Sequence, residues 1–80
     1  MPWYVYVLEN EQGLHYVGVT GRTPEARLAQ HNEGLNKWTR ARRPWRLVYS
    51  EAYEDKTLAI KREHFFKTGA GRRLRKDLIQ

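Results

Sequence analysis

Two tyrosines, a glycine, an arginine, a histidine and a glutamate are spaced so that they could work on a phosphate. Tyr6 and Tyr16 fall in two β-rich runs, WYVYVLE (3–9) and LHYVGVT (14–20), joined by a short polar turn ending in Gly13. If Glu9 pairs with Gly13 across that turn, Tyr6 stands directly opposite Tyr16 on one face of the sheet. Two phenols there are either a cross-strand aromatic pair in the core or a pair of hydroxyls in need of partners. Gly18 lies on the same face, two residues beyond Tyr16. A glycine inside a strand marks a bulge, a bend or a close approach, and beside two hydroxyls it would leave a notch with room for a phosphate.

Arg27 and His31 are four apart and share a face of the helix that follows. They are either ordinary surface residues or a cationic fork and a proton carrier turned toward the phenols. Glu63 sits beside Ala59 and Phe66, at the border of the apolar arc of a second helix. A carboxylate in that position can pair with Lys67 one turn on, or hold a hard divalent cation that keeps most of its waters. Arg62 falls in the middle of the Leu58, Phe65 and Phe66 arc, where its guanidinium must snorkel or find a carboxylate.

The elements that must position these groups are legible from caps and periodicity. Thr23-Pro24 starts a helix that runs to about Glu33 and stops at Gly34. The segment from Leu35 to Pro44 reads as an irregular connection with one helical turn, and WRLVYSEAY (45–53) restores strand alternation. Asp55 caps the second helix, which is expected to stop at Gly69 and Gly71 before a short basic helix from about Arg72. The order is ββαβα(α), an α/β arrangement of the α+β kind, in which a small antiparallel or mixed sheet is flanked by helices in a single domain, 1–80. The first strand is apolar or aromatic on both faces, so it is expected at the centre of the sheet.

Charge points to a partner. Fifteen Lys and Arg against nine Asp and Glu give a net charge of +6. Lys37, Arg40, Arg42, Arg43 and Arg46 lie in one window without an acid, and residues 61–76 hold seven more bases against the single Glu63. Clustered bases of this kind are the footprint of a polyanion, nucleic acid before membrane, because no segment has the clean apolar face of a membrane-surface helix. Without cysteine there is neither a disulfide framework nor a thiolate metal site. His15, His31 and His64 match no zinc-ligand spacing. With no apolar run near membrane length and no signal-peptide pattern, a cytoplasmic protein without a membrane partner is the expectation.

YVY (4–6), YVG (16–18), EARLAQH (25–31) and KREHFFK (61–67), in this order and spacing, resemble the GIY-YIG nuclease superfamily, in particular its small stand-alone bacterial members. The resemblance spans essentially the whole chain. It implies a three-stranded antiparallel sheet flanked by helices and metal-dependent endonuclease activity on DNA, with RNA as the other candidate polymer, using one Mg²⁺ or Mn²⁺. By motif match, Tyr6 and Tyr16 are the paired tyrosines, Gly18 the glycine of the second motif, Arg27 the arginine and Glu63 the metal-binding glutamate. His31 occupies a position that is histidine in part of the family and tyrosine in the rest. Tyr4 stands where the first motif has glycine, and the asparagine that some members place after the glutamate has no clear counterpart.

The nucleic-acid backbone would then be tracked by Gly18, Lys37, Arg40, Arg42, Arg43, Lys67, Arg72 and Arg73, with Trp38 free to stack on bases and Trp45 in the core. The rival is a catalytically silent nucleic-acid-binding module of the same fold, which the charge clusters alone fit equally well.

Overall fold

A computed structural model describes residues 1–79. Strands β1 (Trp3–Asn10) and β2 (His15–Thr20) are followed by helix α1 (Pro24–Glu33), the one-turn helix α2 (Lys37–Arg40) and strand β3 (Trp45–Tyr53). Helices α3 (Lys56–Phe66) and α4 (Gly69–Leu78) close the chain. The three strands form one antiparallel sheet in the order β2-β1-β3. The strand that is apolar on both faces is therefore central, as its composition requires. One face packs Val5, Val7 and Val17 against Ala59 and Phe66 of α3. On the other, Tyr6, Leu8 and Trp45 pack with Leu28 of α1.

The caps form where the sequence places them. The Thr23 hydroxyl accepts from the Ala26 N–H at 3.2 Å, and α1 ends on Gly34 at φ 92°, a left-handed conformation suited to glycine. Asp55 accepts from the Leu58 N–H at 2.9 Å to start α3. The expected end of α3 is corrected: Gly69 and Gly71 are not stop signals but lie in the first turn of α4, which Thr68 caps by accepting from the Gly71 N–H at 3.1 Å. Gly71 is needed for packing, since a Cβ there would run into the Phe65 carbonyl.

The hairpin register is also corrected. Glu9 pairs with His15, which sets Tyr6 opposite Gly18 and Leu8 opposite Tyr16. The turn is longer than expected because the Asn10 side chain organises it, its Oδ1 accepting from the N–H groups of Gln12 and Leu14 at 3.1 and 2.9 Å. The shift is two residues, so Tyr6, Tyr16 and Gly18 still share a face.

Candidate active site

A cavity of about 470 Å³ opens at the free edge of β2, where the two covered faces of the sheet meet. Tyr6, Tyr16, Gly18 and Arg27 reach it from the α1 side, and Glu63 reaches it from α3. Five of the residues singled out by type and spacing thus converge although they lie on four elements. Trp3, Val19, Lys56, Ile60 and His64 complete the wall. Lys56, whose ammonium lies 5.1 Å from the Trp3 ring centroid, was not foreseen. Its position opening α3 beside a capping Asp55 gave no signal apart from its charge. A slightly larger hollow of about 520 Å³ beside the hairpin turn is lined by Glu9, Glu11 and Arg46 but shares none of the converging residues.

The expected notch at Gly18 is corrected: the Tyr6 ring fills it. A Cβ on Gly18 would fall 2.5 Å from Cζ and 2.9 Å from Cε1 of Tyr6, and closer still to its hydroxyl. The glycine therefore admits the phenol, which lies across β2 with its hydroxyl oxygen 2.9 Å from His31 Nε2.

His31 is buried, 1% exposed, and does not line the cavity. Its Nδ1 lies 2.8 Å from Thr39 Oγ1, and the threonine hydroxyl donates in turn to the Asn36 carbonyl at 3.3 Å. Thr39 Oγ1 is thereby left to accept from His31 Nδ1–H, and His31 Nε2 to accept from the Tyr6 O–H. Burial, with Arg27 adding to it, lowers the His31 pKa to about 4, so the ring is neutral near pH 7. Burial likewise raises the Tyr6 pKa, against an opposing pull from Arg27. Tyr6 and His31 form a buried, hydrogen-bonded neutral pair.

Glu63 pairs with Lys67 at 3.2 Å, and His64 Nε2 lies 3.6 Å from its other oxygen. The i,i+4 ion pair, one of the two alternatives for this carboxylate, is formed, and Glu63 also lines the cavity. Arg27 donates to Gln30 of its own helix. Arg62 finds its carboxylate in Glu51, which it grips through Nε and Nη2 at 2.9 and 3.0 Å while lying 4.5 Å from the centroid of the Phe66 ring. Glu51 also accepts from the hydroxyls of Tyr49 and Tyr53.

Of the residues expected to track a nucleic-acid backbone, Gly18 lines this cavity, while Lys67 and Arg72 line a neighbouring one. Lys37, Arg40 and Arg73 are exposed elsewhere. Arg42 lies over Trp38, 4.1 Å from its ring centroid, and Arg43 donates to the carbonyls of Arg40 and Asn32, so both help to hold the α2 connection. Trp38 is 43% exposed, and Trp45 is buried with its indole N–H donating to the Thr39 carbonyl at 2.8 Å.

The family profile described as the GIY-YIG catalytic domain matches residues 2–76. The chain belongs to the GIY-YIG family. It is similar to a UPF0213 protein of Streptococcus agalactiae, 46% identical over 68 residues that cover 84% of this chain and 76% of the relative. A UPF0213 protein of Staphylococcus aureus is 42% identical over 66 residues, covering 81% and 79%. Among solved structures, the solution NMR structure of a UPF0213 protein from Bacillus halodurans aligns with a TM-score of 0.59 at 33% identity, covering 98% of this chain and 85% of that one. The GIY-YIG domain places the chain in a nuclease superfamily whose members are generally divalent-metal dependent. No described helix is long and apolar enough to cross a membrane.

Proposed function

We propose that this GIY-YIG domain, comprising residues 1–80, is a metal-dependent endonuclease that hydrolyses phosphodiester bonds of DNA or RNA. The observation that carries this reading is the convergence of Tyr6, Tyr16, Arg27 and Glu63 on one cavity, which a module that only binds nucleic acid does not require.

The donor set fits Mg²⁺ or Mn²⁺. Glu63 offers one hard carboxylate in a solvent-open cavity, and Mg²⁺ is held by one or two carboxylates together with water and substrate phosphate. Among the described residues no three His, Asp or Glu cluster, so an all-protein cage is not what the site provides. When bound, the cation would neutralise charge on the phosphate and on the leaving oxygen.

The chain's own groups supply the rest. Arg27 extends from α1 to the non-bridging oxygens, where a planar fork suits a phosphate gaining charge. Tyr16 orients the attacking water and, its own hydroxyl proton first lost to solvent, takes the proton of that water as the phenolate. With its own proton committed to His31, Tyr6 turns the remaining lone pair of its hydroxyl to the cavity and accepts a hydrogen bond from the same water. His31 is a positioning residue. Lys56 and Lys67 add positive charge on either side of Glu63. A role in DNA repair or in processing structured strands is consistent with this chemistry.

The test is cleavage of single-stranded, branched and duplex DNA by the purified protein with Mg²⁺ or Mn²⁺, with chelation and Glu63→Ala as controls. Glu63→Ala is expected to stop cleavage while leaving the fold and most nucleic-acid binding intact. Mg²⁺-dependent turnover retained in that variant would sink the assignment.

A further inference from the structure

Among the described residues, Arg75 is a buried cation without a counter-ion. It is 8% exposed, and its Nε–H has no hydrogen-bond partner among the described residues. Its Nη1 donates to His15 Nδ1 at 3.1 Å. A guanidinium is only a donor, so His15 Nδ1 accepts, and the imidazole proton sits on Nε2, 3.0 Å from Glu9. The partner of Arg75 is thus a neutral ring, and the carboxylate beyond that ring is shared with Arg46. Burial and the nearby Arg72 both disfavour the charged guanidinium. A charge in this position costs several kcal/mol unless something pairs it.

The groups beside Arg75 say what does. A cavity of about 290 Å³ is walled by His15, Tyr16, Trp38, Lys67, Arg72 and Arg75, with three cations and no carboxylate among its lining residues. Tyr16 is a wall of this cavity and of the proposed active site, and Lys67 here is ion-paired with Glu63 there. The exposed Trp38 ring gives an apolar wall suited to a sugar or a base.

We propose that this cavity is a second phosphate site, which takes a non-reacting phosphate of the substrate strand next to the one being cleaved. The inference rests on the nuclease reading for the identity of the strand, not for the presence of the site. Arg75 is its buried anchor, contributing its guanidinium charge, and Lys67 and Arg72 close the exposed side. Binding energy gathered there would fix the strand relative to Tyr16 before reaction.

The experiment titrates the whole chain, in chelator, with inorganic phosphate and with a short thymidine oligonucleotide. It follows the Nε–H resonance of Arg75 in protein made with isotope-labelled arginine and assigned through Arg75→Lys. Both ligands should shift the resonance saturably, and the oligonucleotide should displace phosphate. Arg72→Ala, which changes an exposed residue, should lower phosphate affinity about ten-fold with an unchanged melting curve. An unmoved Arg75 resonance at saturating oligonucleotide overturns the proposal, as does full phosphate affinity in Arg72→Ala. Phosphate that binds but is not displaced by oligonucleotide overturns the assignment to the substrate strand. A shift seen in a protein that cuts no nucleic acid upholds this site and removes the nuclease reading instead.

Discussion

The Tyr6 phenol lies where the side chain of Gly18 would begin, and this close approach lets its hydroxyl reach His31 at 2.9 Å. Valine suits a strand better than glycine does, yet Gly18→Val should destabilise the protein by about 1–3 kcal/mol, because a fully buried ring has to move. It should also break the Tyr6–His31 hydrogen bond and lower cleavage. Thermal melting and a cleavage assay on the same sample check this. A variant that melts higher and cuts normally would mean that Tyr6 can lie elsewhere without cost.

Arg27→Ala should reduce the cleavage rate by roughly 10²–10³ with little change in melting temperature, because the side chain stands at the cavity wall and not in the core. Arg27→Lys should not restore the rate, since a point charge cannot supply two parallel donors. Single-turnover rates at saturating substrate decide the matter, and full activity in Arg27→Lys would reduce the role of Arg27 to general charge.

Between pH 6.5 and about 4 the protein should lose stability through His31. Its pKa in the folded state is lowered to about 4 from 6.5, so the associated stability is complete above pH 6.5. As pH falls, the unfolded chain takes up a proton that the native ring refuses, and the loss continues until native His31 titrates as well. The full shift is worth about 3 kcal/mol. Glu9, held down chiefly by Arg46 and then His15, and Glu51 contribute losses only below about pH 4.5, their ordinary value. For Glu51, burial pushes the pKa up, but the hydrogen bonds from Arg62, Tyr49 and Tyr53 outweigh it. Urea unfolding at pH 7 and pH 4.5 should show the loss in the parent and little of it in His31→Gln. Equal losses in both would assign the effect to another group.

The caps at Thr23, Gly34 and Asp55 were legible because each depends on a few adjacent residues, and the placing of β1 followed from its two apolar faces. The register was not, because the fold of the Asn10 side chain into the turn adds residues that no alternation pattern counts. Gly69 and Gly71 were misread as stops because their contact is with the backbone of α3, a tertiary fact. Tyr6, Tyr16, Arg27 and Glu63 could be picked out by type and spacing. Lys56, Glu51 and Arg75 could not, since what distinguishes them is the company that folding brings. The sequence also left His31 as either surface residue or proton carrier, and its burial behind Tyr6, to which it is hydrogen-bonded, removes the first of these.

The ion pair of Arg62 with Glu51 ties α3 to β3, one residue from Glu63. Glu51→Leu should cost about 2 kcal/mol, because it leaves a half-buried guanidinium against Phe65 and Phe66 and also removes the acceptor for two tyrosine hydroxyls. The double variant Glu51→Leu with Arg62→Leu should recover part of that loss, since an apolar pair can replace a buried ion pair. Chemical denaturation of the two single variants and the double variant gives the coupling. Strict additivity would mean that the pair contributes nothing of its own.

The two tyrosines should separate by what their hydroxyls do. Tyr6→Phe removes the donor to His31 Nε2 and leaves that nitrogen buried without a partner, at a cost of about 1–2 kcal/mol. For a chain of this size that corresponds to a melting temperature lower by about 5 °C or more. Tyr16 is only partly buried and forms the wall between the two cavities, so Tyr16→Phe should change melting little. The rates should fall in the opposite order. Tyr16 is the group that, as the phenolate, takes the proton of the attacking water, and its loss should slow cleavage by about 10²–10⁴. Tyr6 only helps to hold that water, so Tyr6→Phe, assayed well below its melting point, should retain more activity than Tyr16→Phe. Single-turnover cleavage by the two variants under identical metal and salt conditions makes the comparison. If Tyr6→Phe is the slower enzyme while still folded, the water is activated at Tyr6, and His31 becomes the group through which its proton is held.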